Sequence, residues 1–170
     1  LDEKKGIIYF GTGNPRPKVY GIKREGINEG SNSLIAVDLN KQKVIWKFKE
    51  TFHDLWNLDV AFPPILANIK IKNKNYDVVI CATKIGNILM LERSSGRPIF
   101  DIDLIKVPKS KIPSEIVSPY QIKVSKPEPI TKFDWSIKDM SEVDSNYKNK
   151  ILNNINDFDF GLFIPPAINK

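Results

Sequence analysis

Short apolar runs separated by polar turns follow one another through residues 1–105. These runs are five to seven residues long and rich in β-branched and aromatic residues, which is typical of strands. Glycine, asparagine, proline and serine gather between them, where turns are expected. The polar segment 16–32 and the irregular segment 53–64 predict loops. Strands are predicted over 6–10, 33–38, 44–48, 65–71, 77–82 and 87–92, with a returning strand over 98–100.

One pattern occurs twice in this part of the chain. Residues 36–46 read AVDLNKQKVIW and residues 90–100 read MLERSSGRPIF. In both, a strand ends in an acid (Asp38 or Glu92), a polar turn follows, and an aromatic residue (Trp46 or Phe100) lies eight positions after the acid. The copies are 54 residues apart, a spacing typical of stacked β units and most often of propeller blades. We therefore predict an all-β fold, a partial β-propeller in which Trp46 and Phe100 dock between neighbouring blades.

The length of the chain allows about two to three such blades. A blade cannot bury its apolar faces alone, and so few blades would leave sheet faces open where neighbours should pack. We expect the chain to be part of a longer protein, and its first residue, Leu1 rather than Met, agrees with that expectation. A small open β-sandwich that is complete in itself is the alternative.

The character of the sequence changes after Asp103. Five prolines fall between residues 106 and 135, at positions 108, 113, 119, 127 and 129, and they predict an extended, loop-like excursion. The polar segment 137–156 has weak helical spacing and allows a short helix, whereas 159–166 resembles a strand entering a loop. The predicted organisation is blades with part of a site over 1–105, an irregular insertion over 106–157, and the start of a further blade over 158–170.

Charge and cysteine content exclude some classes of function. The net charge is +6, and 22 of the 26 basic residues are lysines spread along the chain. Aromatic residues are not interleaved with them as a base-stacking surface requires, so no nucleic-acid partner is expected. The single cysteine, Cys81, excludes an internal disulfide and lies in an apolar strand, where an inert buried thiol is expected. No run approaches the ~20 apolar residues of a membrane span.

Several further motifs occur in a fixed order along nearly the whole chain. They are GTGNP at 11–15, HDLWNLD at 53–59, ATKIGN at 82–87, LERSSGRP at 91–98, SPY at 118–120, KPEP at 126–129 and GLFIPP at 161–166. Together with the repeated pattern, they resemble the dehydrogenases that depend on pyrroloquinoline quinone (PQQ), which are eight-bladed propellers. The membrane-type glucose and polyol dehydrogenases are the most similar branch.

This resemblance implies a reaction and its cofactors. A PQQ and a Ca²⁺ ion are expected at the centre of the propeller, where a sugar, polyol or other alcohol loses a hydroxyl proton to a base and a hydride to the quinone. A hard cation of this kind takes oxygen ligands, and a cationic side chain stabilises charge that develops on the quinone oxygen. The resemblance also implies a quinone or cytochrome electron acceptor, a periplasmic location, and membrane association through segments outside this chain.

Two residues match ligand positions of the family. Asn14 matches a calcium ligand, because an amide oxygen can coordinate the ion; the alternative is an ordinary turn residue before a proline. Lys84 matches the position whose ammonium group contacts the quinone; the alternative is one more solvated lysine. The only histidine, His53, is expected to hold its loop by hydrogen bonds rather than to transfer protons.

The chain departs from the family at residue 57. The best-known members have an aspartate after the tryptophan of this motif, and it is taken as the catalytic base; here the residue is Asn57. An amide does not accept a proton at neutral pH. Asp59 is then the first candidate base, since it shares a face with Asn57 in an extended segment, and Asp54 is the second or else braces the loop. A bound water or a cofactor oxygen could replace them, while Asn57 positions substrate or ligates the metal.

The missing aspartate also supports a different class of function. A non-catalytic propeller that serves as a binding or assembly scaffold would keep the repeated docking pattern without needing Asn14 or Lys84. Binding of PQQ that depends on Ca²⁺ separates the two hypotheses, because only the dehydrogenase requires it.

Overall fold

A computed structural model of the chain describes residues 1–132, 136–140, 144–155 and 159–167. Its strands form three small antiparallel sheets, each built from strands that are consecutive in the sequence. The first holds β1 (Ile7–Gly11), β2 (Ser33–Asp38) and β3 (Lys43–Lys49). The second holds β4 (Ile65–Ile71), β5 (Lys74–Ala82) and β6 (Ile88–Glu92), and the third holds β7 (Ile102–Lys106) and β8 (Tyr120–Val124). A 3₁₀ turn (Ile137–Asp139) and helix α1 (Ser145–Ile155) follow.

Local chemistry at the strand ends explains why the sheets form at these positions. The carboxylate of Asp38, which ends β2, accepts hydrogen bonds from the backbone N–H groups of Asn40 and Lys41, both at 3.0 Å. In the second sheet, Lys72 and Asn73 both have positive φ, at 45° and 65°. A two-residue hairpin turn of type I′ needs this conformation at both positions. The acid and the turn residues therefore determine where the chain reverses after β2 and after β4.

The repeated pattern marks a contact between the first two sheets. Trp46 of β3 is buried and its indole Nε1 donates to the carbonyl of Arg93, in the turn after β6, at 2.9 Å. Its ring lies against Gly96, where a Cβ atom would come within 2.6 Å of the indole. The predicted docking of Trp46 on the neighbouring unit is confirmed. Phe100 is half-buried and, with residues of β6 and β8, lines the space between the second and third sheets.

One apolar core joins all three sheets. It includes Leu34 of β2, Val79 of β5, Leu91 of β6 and Val124 of β8. A smaller cluster of Ile85, Val107 and Phe163 lies beside the loop that follows β3, with the partly buried Trp56 and Leu58 packed against it. The six strands predicted before residue 93 are all present, and the largest difference is that β5 begins at Lys74 rather than at residue 77.

Three expectations for the later part of the chain need correction. Residues 98–100 do not form a regular returning strand but make a single bridge, Leu91 to Pro98, because the chain bends at residues 99 and 100 directly after it. Residues 120–124 are not loop-like. Although prolines precede and follow this segment, it forms β8, which pairs with β7 and buries the side chains of Ile122 and Val124. The structure describes no strand within 159–167, where two consecutive prolines remove two backbone donors.

The short helix allowed over 137–156 is confirmed by α1. The division of the chain into parts at residues 105 and 157 stays a prediction, and its first boundary falls at the end of β7. Among the described residues, no helix has the length and apolar character needed to cross a membrane.

Candidate cofactor and catalytic site

The candidate site is built on the loop between β3 and β4, which packs against the turn after β1. The N–H of Val60 donates to the carbonyl of Thr12 at 3.2 Å, so the two segments are joined through their backbones. A Cβ atom at Gly11 would lie 2.1 Å from the carbonyl oxygen of Val60. Such a close approach of two backbones requires glycine at that position. This packing brings the GTGNP and HDLWNLD motifs together.

Asp54 organises the loop from the inside. Its side chain is buried, and it accepts hydrogen bonds from the N–H groups of Trp56 and Leu58, both at 2.8 Å, and from the Nδ2 of Asn32 at 2.9 Å. The Asp54 carbonyl accepts from the guanidinium of Arg24 at 2.7 Å. A carboxylate held by several donors on both oxygens is a brace for the backbone around Asn57.

Asn14 and Asn57 are in direct contact, with the Nδ2 of Asn14 donating to the Oδ1 of Asn57. The Oδ1 of Asn14 receives a weak contact of 3.5 Å from the Nδ2 of Asn32, so it keeps most of its capacity to accept. Asn57 has a φ of 64°, a left-handed conformation that asparagine and aspartate adopt more readily than most residues. The structure therefore brings together two of the residues predicted for the site.

Lys84 and Asp59 form the second pair. The Nζ of Lys84 lies 2.6 Å from the Oδ1 of Asp59, and both side chains reach solvent. Partial burial raises the pKa of Asp59, but the hydrogen bond from Lys84 and the charges of Lys84 and Lys18 lower it by more. The net effect holds the pKa of Asp59 below its ordinary value, so its carboxylate is ionised at neutral pH.

His53 holds the loop in the way expected for a structural histidine. Its ring is buried, its Nδ1 lies 2.7 Å from the carbonyl oxygen of Gly26, and Gly21 packs against the other side of the ring. No described group bonds to its Nε2. The contacts therefore tie the loop at 53–59 to the long loop after β1.

Sequence reasoning missed Glu50, which lies at the end of β3. Its side chain is fully buried, and its Oε1 accepts hydrogen bonds from the Oγ1 of Thr83 at 2.7 Å and from the Nδ2 of Asn87 at 2.8 Å. Burial raises the pKa of Glu50 to about 7. Nothing in the sequence separates this acid from the exposed ones, because the signal is burial.

Three cavities lined by described residues lie away from the candidate residues. One of about 430 Å³ is lined by residues of the segments 108–111 and 159–167, among them Lys111 and Asp159. None of the candidate residues lines it. The candidate site is therefore a cluster of side chains that lines none of these three cavities. Within the described ranges, no group of three or more His, Cys, Asp or Glu side chains is placed to hold a metal ion.

The sequence is similar to a known protein family and to several characterised proteins. A family model described as "PQQ: Glucose/ethanol/alcohol dehydrogenase, beta-propeller domain" matches residues 1–170. Quinoprotein glucose dehydrogenase A of Acinetobacter calcoaceticus is 36% identical over 111 residues, which are 64% of this chain and 14% of that protein.

Solved structures give the same result for the fold. Quinohemoprotein alcohol dehydrogenase from Comamonas testosteroni is similar with a TM-score of 0.53 and 34% identity, over 58% of this chain and 15% of its own. A europium-containing methanol dehydrogenase has a TM-score of 0.55 and 26% identity, over 59% of this chain and 17% of its own. These likenesses confirm the prediction of a partial β-propeller. The chain spans only about a seventh of the length of such relatives.

Proposed function

Because this chain belongs to the family of PQQ-dependent glucose, ethanol and alcohol dehydrogenase propellers, we propose that it carries part of the active site of a PQQ- and Ca²⁺-dependent dehydrogenase. The substrate class is a sugar, a polyol or another alcohol. One observation carries the proposal. The four matching or candidate residues form two contacting pairs, Asn14 with Asn57 and Asp59 with Lys84, which the segment 57–59 joins.

The oxygen donors of the first pair fit a calcium ion. Calcium takes six to eight oxygen ligands, amide carbonyls among them. Among the described residues, the Oδ1 of Asn14 has only the 3.5 Å contact with Asn32, so it retains a lone pair for a cation. Asn14 and Asn57 would supply part of the ligand set, and the rest would come from outside the described residues. The ammonium group of Lys84 is accessible at the end of β5, where it fits an anionic or quinone oxygen.

This arrangement supports the following proposed roles for the protein groups. PQQ, when bound, supplies the quinone that accepts a hydride from the substrate carbon. Lys84 stabilises negative charge at the oxygen that it contacts. Asp59, kept ionised by Lys84, accepts the hydroxyl proton of the substrate, and Asn57 orients that hydroxyl group. Asp54 holds the backbone that carries Asn57 and Asp59. Following the family resemblance, we place the reaction in the periplasm, with a quinone or cytochrome as electron acceptor.

A scaffold propeller without catalysis is the second candidate, and the amide at position 57 favours it. The experiment that separates them is a titration of the complete protein that carries this chain with PQQ, with and without Ca²⁺, followed by the absorbance of the cofactor. The dehydrogenase predicts calcium-dependent binding that Lys84→Ala weakens. Lys41→Ala is the matched control, because Lys41 also pairs with a carboxylate, Asp38, but in the β2–β3 turn. Absence of binding would leave the scaffold.

A further inference from the structure

The carboxylate of Glu50 joins the first sheet to the turn that carries Lys84. One oxygen, Oε1, accepts from Thr83 at 2.7 Å and from Asn87 at 2.8 Å. Glu50 is fully buried, and the other oxygen, Oε2, has no partner among the described residues. Both hydrogen bonds therefore depend on a single buried acceptor.

Thr83 and Asn87 are the two ends of a closed turn. The N–H of Thr83 donates to the carbonyl of Asn87 at 3.0 Å, and the N–H of Gly86 donates to the carbonyl of Thr83 at 2.9 Å. On the outer side, Thr131 and Ile130 bond to the carbonyls of Ile85 and Gly86. Glu50 is the inner anchor of this turn, and Lys84 is the residue that follows the anchored Thr83.

We infer that Glu50 is a positioning residue for Lys84: it fixes both ends of the turn at 83–87, so that the Lys84 ammonium group stays beside Asp59 and in reach of the cofactor. This inference rests on the proposed function, since the position of Lys84 matters to PQQ only if Lys84 contacts it. Glu50 itself touches neither Lys84 nor Asp59 in the described contacts, so its effect must pass through the turn.

The chemistry of the anchor predicts which substitutions preserve it. Glutamine keeps an acceptor oxygen at the place of Oε1, and an amide oxygen has two lone pairs, enough for both donors. Leucine keeps a similar volume but leaves the Thr83 hydroxyl and the Asn87 amide unpaired inside the protein. The partnerless Oε2 and the raised pKa of Glu50, about 7, agree with an anchor that does not need its charge. Glu50→Gln should therefore keep the turn at 83–87 as closed as in the wild type, and Glu50→Leu should loosen it.

The first test follows the turn itself, without cofactor. Amide hydrogen exchange is measured over residues 83–87 in the complete protein, in the wild type, Glu50→Gln and Glu50→Leu. Glu50→Leu should speed exchange of the Thr83 and Gly86 amides by about tenfold, because opening of the turn becomes easier. Glu92→Leu is the control, since Glu92 is bonded to Ser95 in a different turn. An unchanged exchange rate in Glu50→Leu would overturn the inference regardless of the affinity for PQQ.

The second test measures PQQ affinity from the cofactor absorbance in a double-mutant cycle with Lys84→Ala. Glu50→Leu should weaken PQQ binding by about threefold to tenfold when Lys84 is present and should have no effect in the Lys84→Ala background. An equal loss in both backgrounds would mean a general structural effect and would overturn the positioning role while leaving the proposed function intact. If the wild type and Lys84→Ala bind PQQ equally, the cofactor role proposed for Lys84 fails, and the inference fails with it.

A second pair of variants covers the case in which Glu50→Leu does not fold. Thr83→Val removes one of the two hydrogen bonds without changing the shape of the side chain, and Thr83→Ser keeps it. Thr83→Val should repeat both effects of Glu50→Leu in weaker form, and Thr83→Ser should restore the wild-type values. If Thr83→Val and Thr83→Ser do not differ in exchange over 83–87, the anchor is not the carboxylate of Glu50.

Discussion

The ammonium nitrogen of Lys84 lies 2.6 Å from a carboxylate oxygen of Asp59, and this pair connects the end of β5 with the loop before β4. The side chains are 42% and 28% exposed, and ion pairs of this exposure contribute little to stability. Their value is geometric, because the pair orients a cation and an ionised carboxylate toward the same solvent-facing region. A site that moves a proton and stabilises an anion needs both groups in that arrangement.

Asp59→Asn tests Asp59 as the base. The amide is nearly the same shape but cannot accept the hydroxyl proton, so we expect kcat to fall by about 100-fold or more with little change in PQQ affinity. The measurement is steady-state oxidation of a panel of sugars and alcohols by the loaded, complete protein. A variant that retains wild-type kcat would exclude Asp59 and return attention to a water or cofactor oxygen.

Asp54→Ala should damage the fold rather than the chemistry. The substitution leaves the partly buried N–H groups of Trp56 and Leu58, and the buried Asn32 amide, without their acceptor, and we expect the free energy of unfolding to fall by about 3 kcal/mol. Denaturant unfolding of the complete protein measures this loss. Asp38→Ala is the control, because its carboxylate also accepts two backbone N–H groups but in an exposed turn. Equal, small losses in both variants would contradict the bracing role of Asp54.

Asn57→Asp tests whether a carboxylate at position 57 can accept the hydroxyl proton of the substrate. The backbone of Asn57 is left-handed, with a φ of 64°, and aspartate tolerates that conformation about as well as asparagine. We expect Asn57→Asp to restore turnover in the Asp59→Asn background to within about tenfold of the wild type. The readout is kcat of the double variant beside each single variant. An inactive double variant that still binds PQQ would mean that residue 57 no longer reaches the substrate hydroxyl.

The sequence predicted the first two sheets well because local chemistry determines them. The short apolar runs, the acids at the strand ends and the turn residues between strands all act over a few positions, so they can be read from the chain. Strand β8 was missed because prolines on both sides suggested a loop. Its pairing with β7 depends on a partner fourteen or more residues away, and the sequence does not display that partner.

The candidate site was predicted from the family motifs and not from residue chemistry. Asn14 and Lys84 were identified only because their neighbours match, and their contacts with Asn57 and Asp59 are tertiary. Glu50 matched nothing and was not noticed, although it is fully buried. Burial of a charged side chain is decided by the packing of two sheets, and one strand end does not reveal it.

Glu50 should make stability depend on pH near neutrality. Its pKa is about 7 in the folded protein against an ordinary 4.5, so the folded state holds a proton that the unfolded state releases. The stabilisation from this proton is complete below the unfolded pKa and is lost as the pH rises through about 7. Between about pH 6 and about pH 8 we expect the free energy of unfolding to fall by about 1 kcal/mol from this group.

Denaturant unfolding of the wild type and Glu50→Gln at both pH values isolates this contribution, because the glutamine does not titrate while other groups are common to both proteins. The difference between the two proteins should change by about 1 kcal/mol across the interval. A parallel pH dependence in both would mean that Glu50 in the folded protein does not titrate near pH 7.

The contact between the first two sheets can be tested at two glycines of similar backbone conformation. Gly96 has a φ of 70°, and an added Cβ would lie 2.6 Å from the ring of Trp46; Gly26 has a φ of 60° with nothing within 4 Å. Gly26→Ala should cost only the left-handed conformation, about 1 kcal/mol. Gly96→Ala should cost about 2 kcal/mol more, because the indole must move and lose its hydrogen bond to Arg93. Denaturant unfolding gives both values. Equal losses of unfolding free energy would mean that the Trp46 ring moves aside at little cost and that its contact with Gly96 does not stabilise the packing of the two sheets.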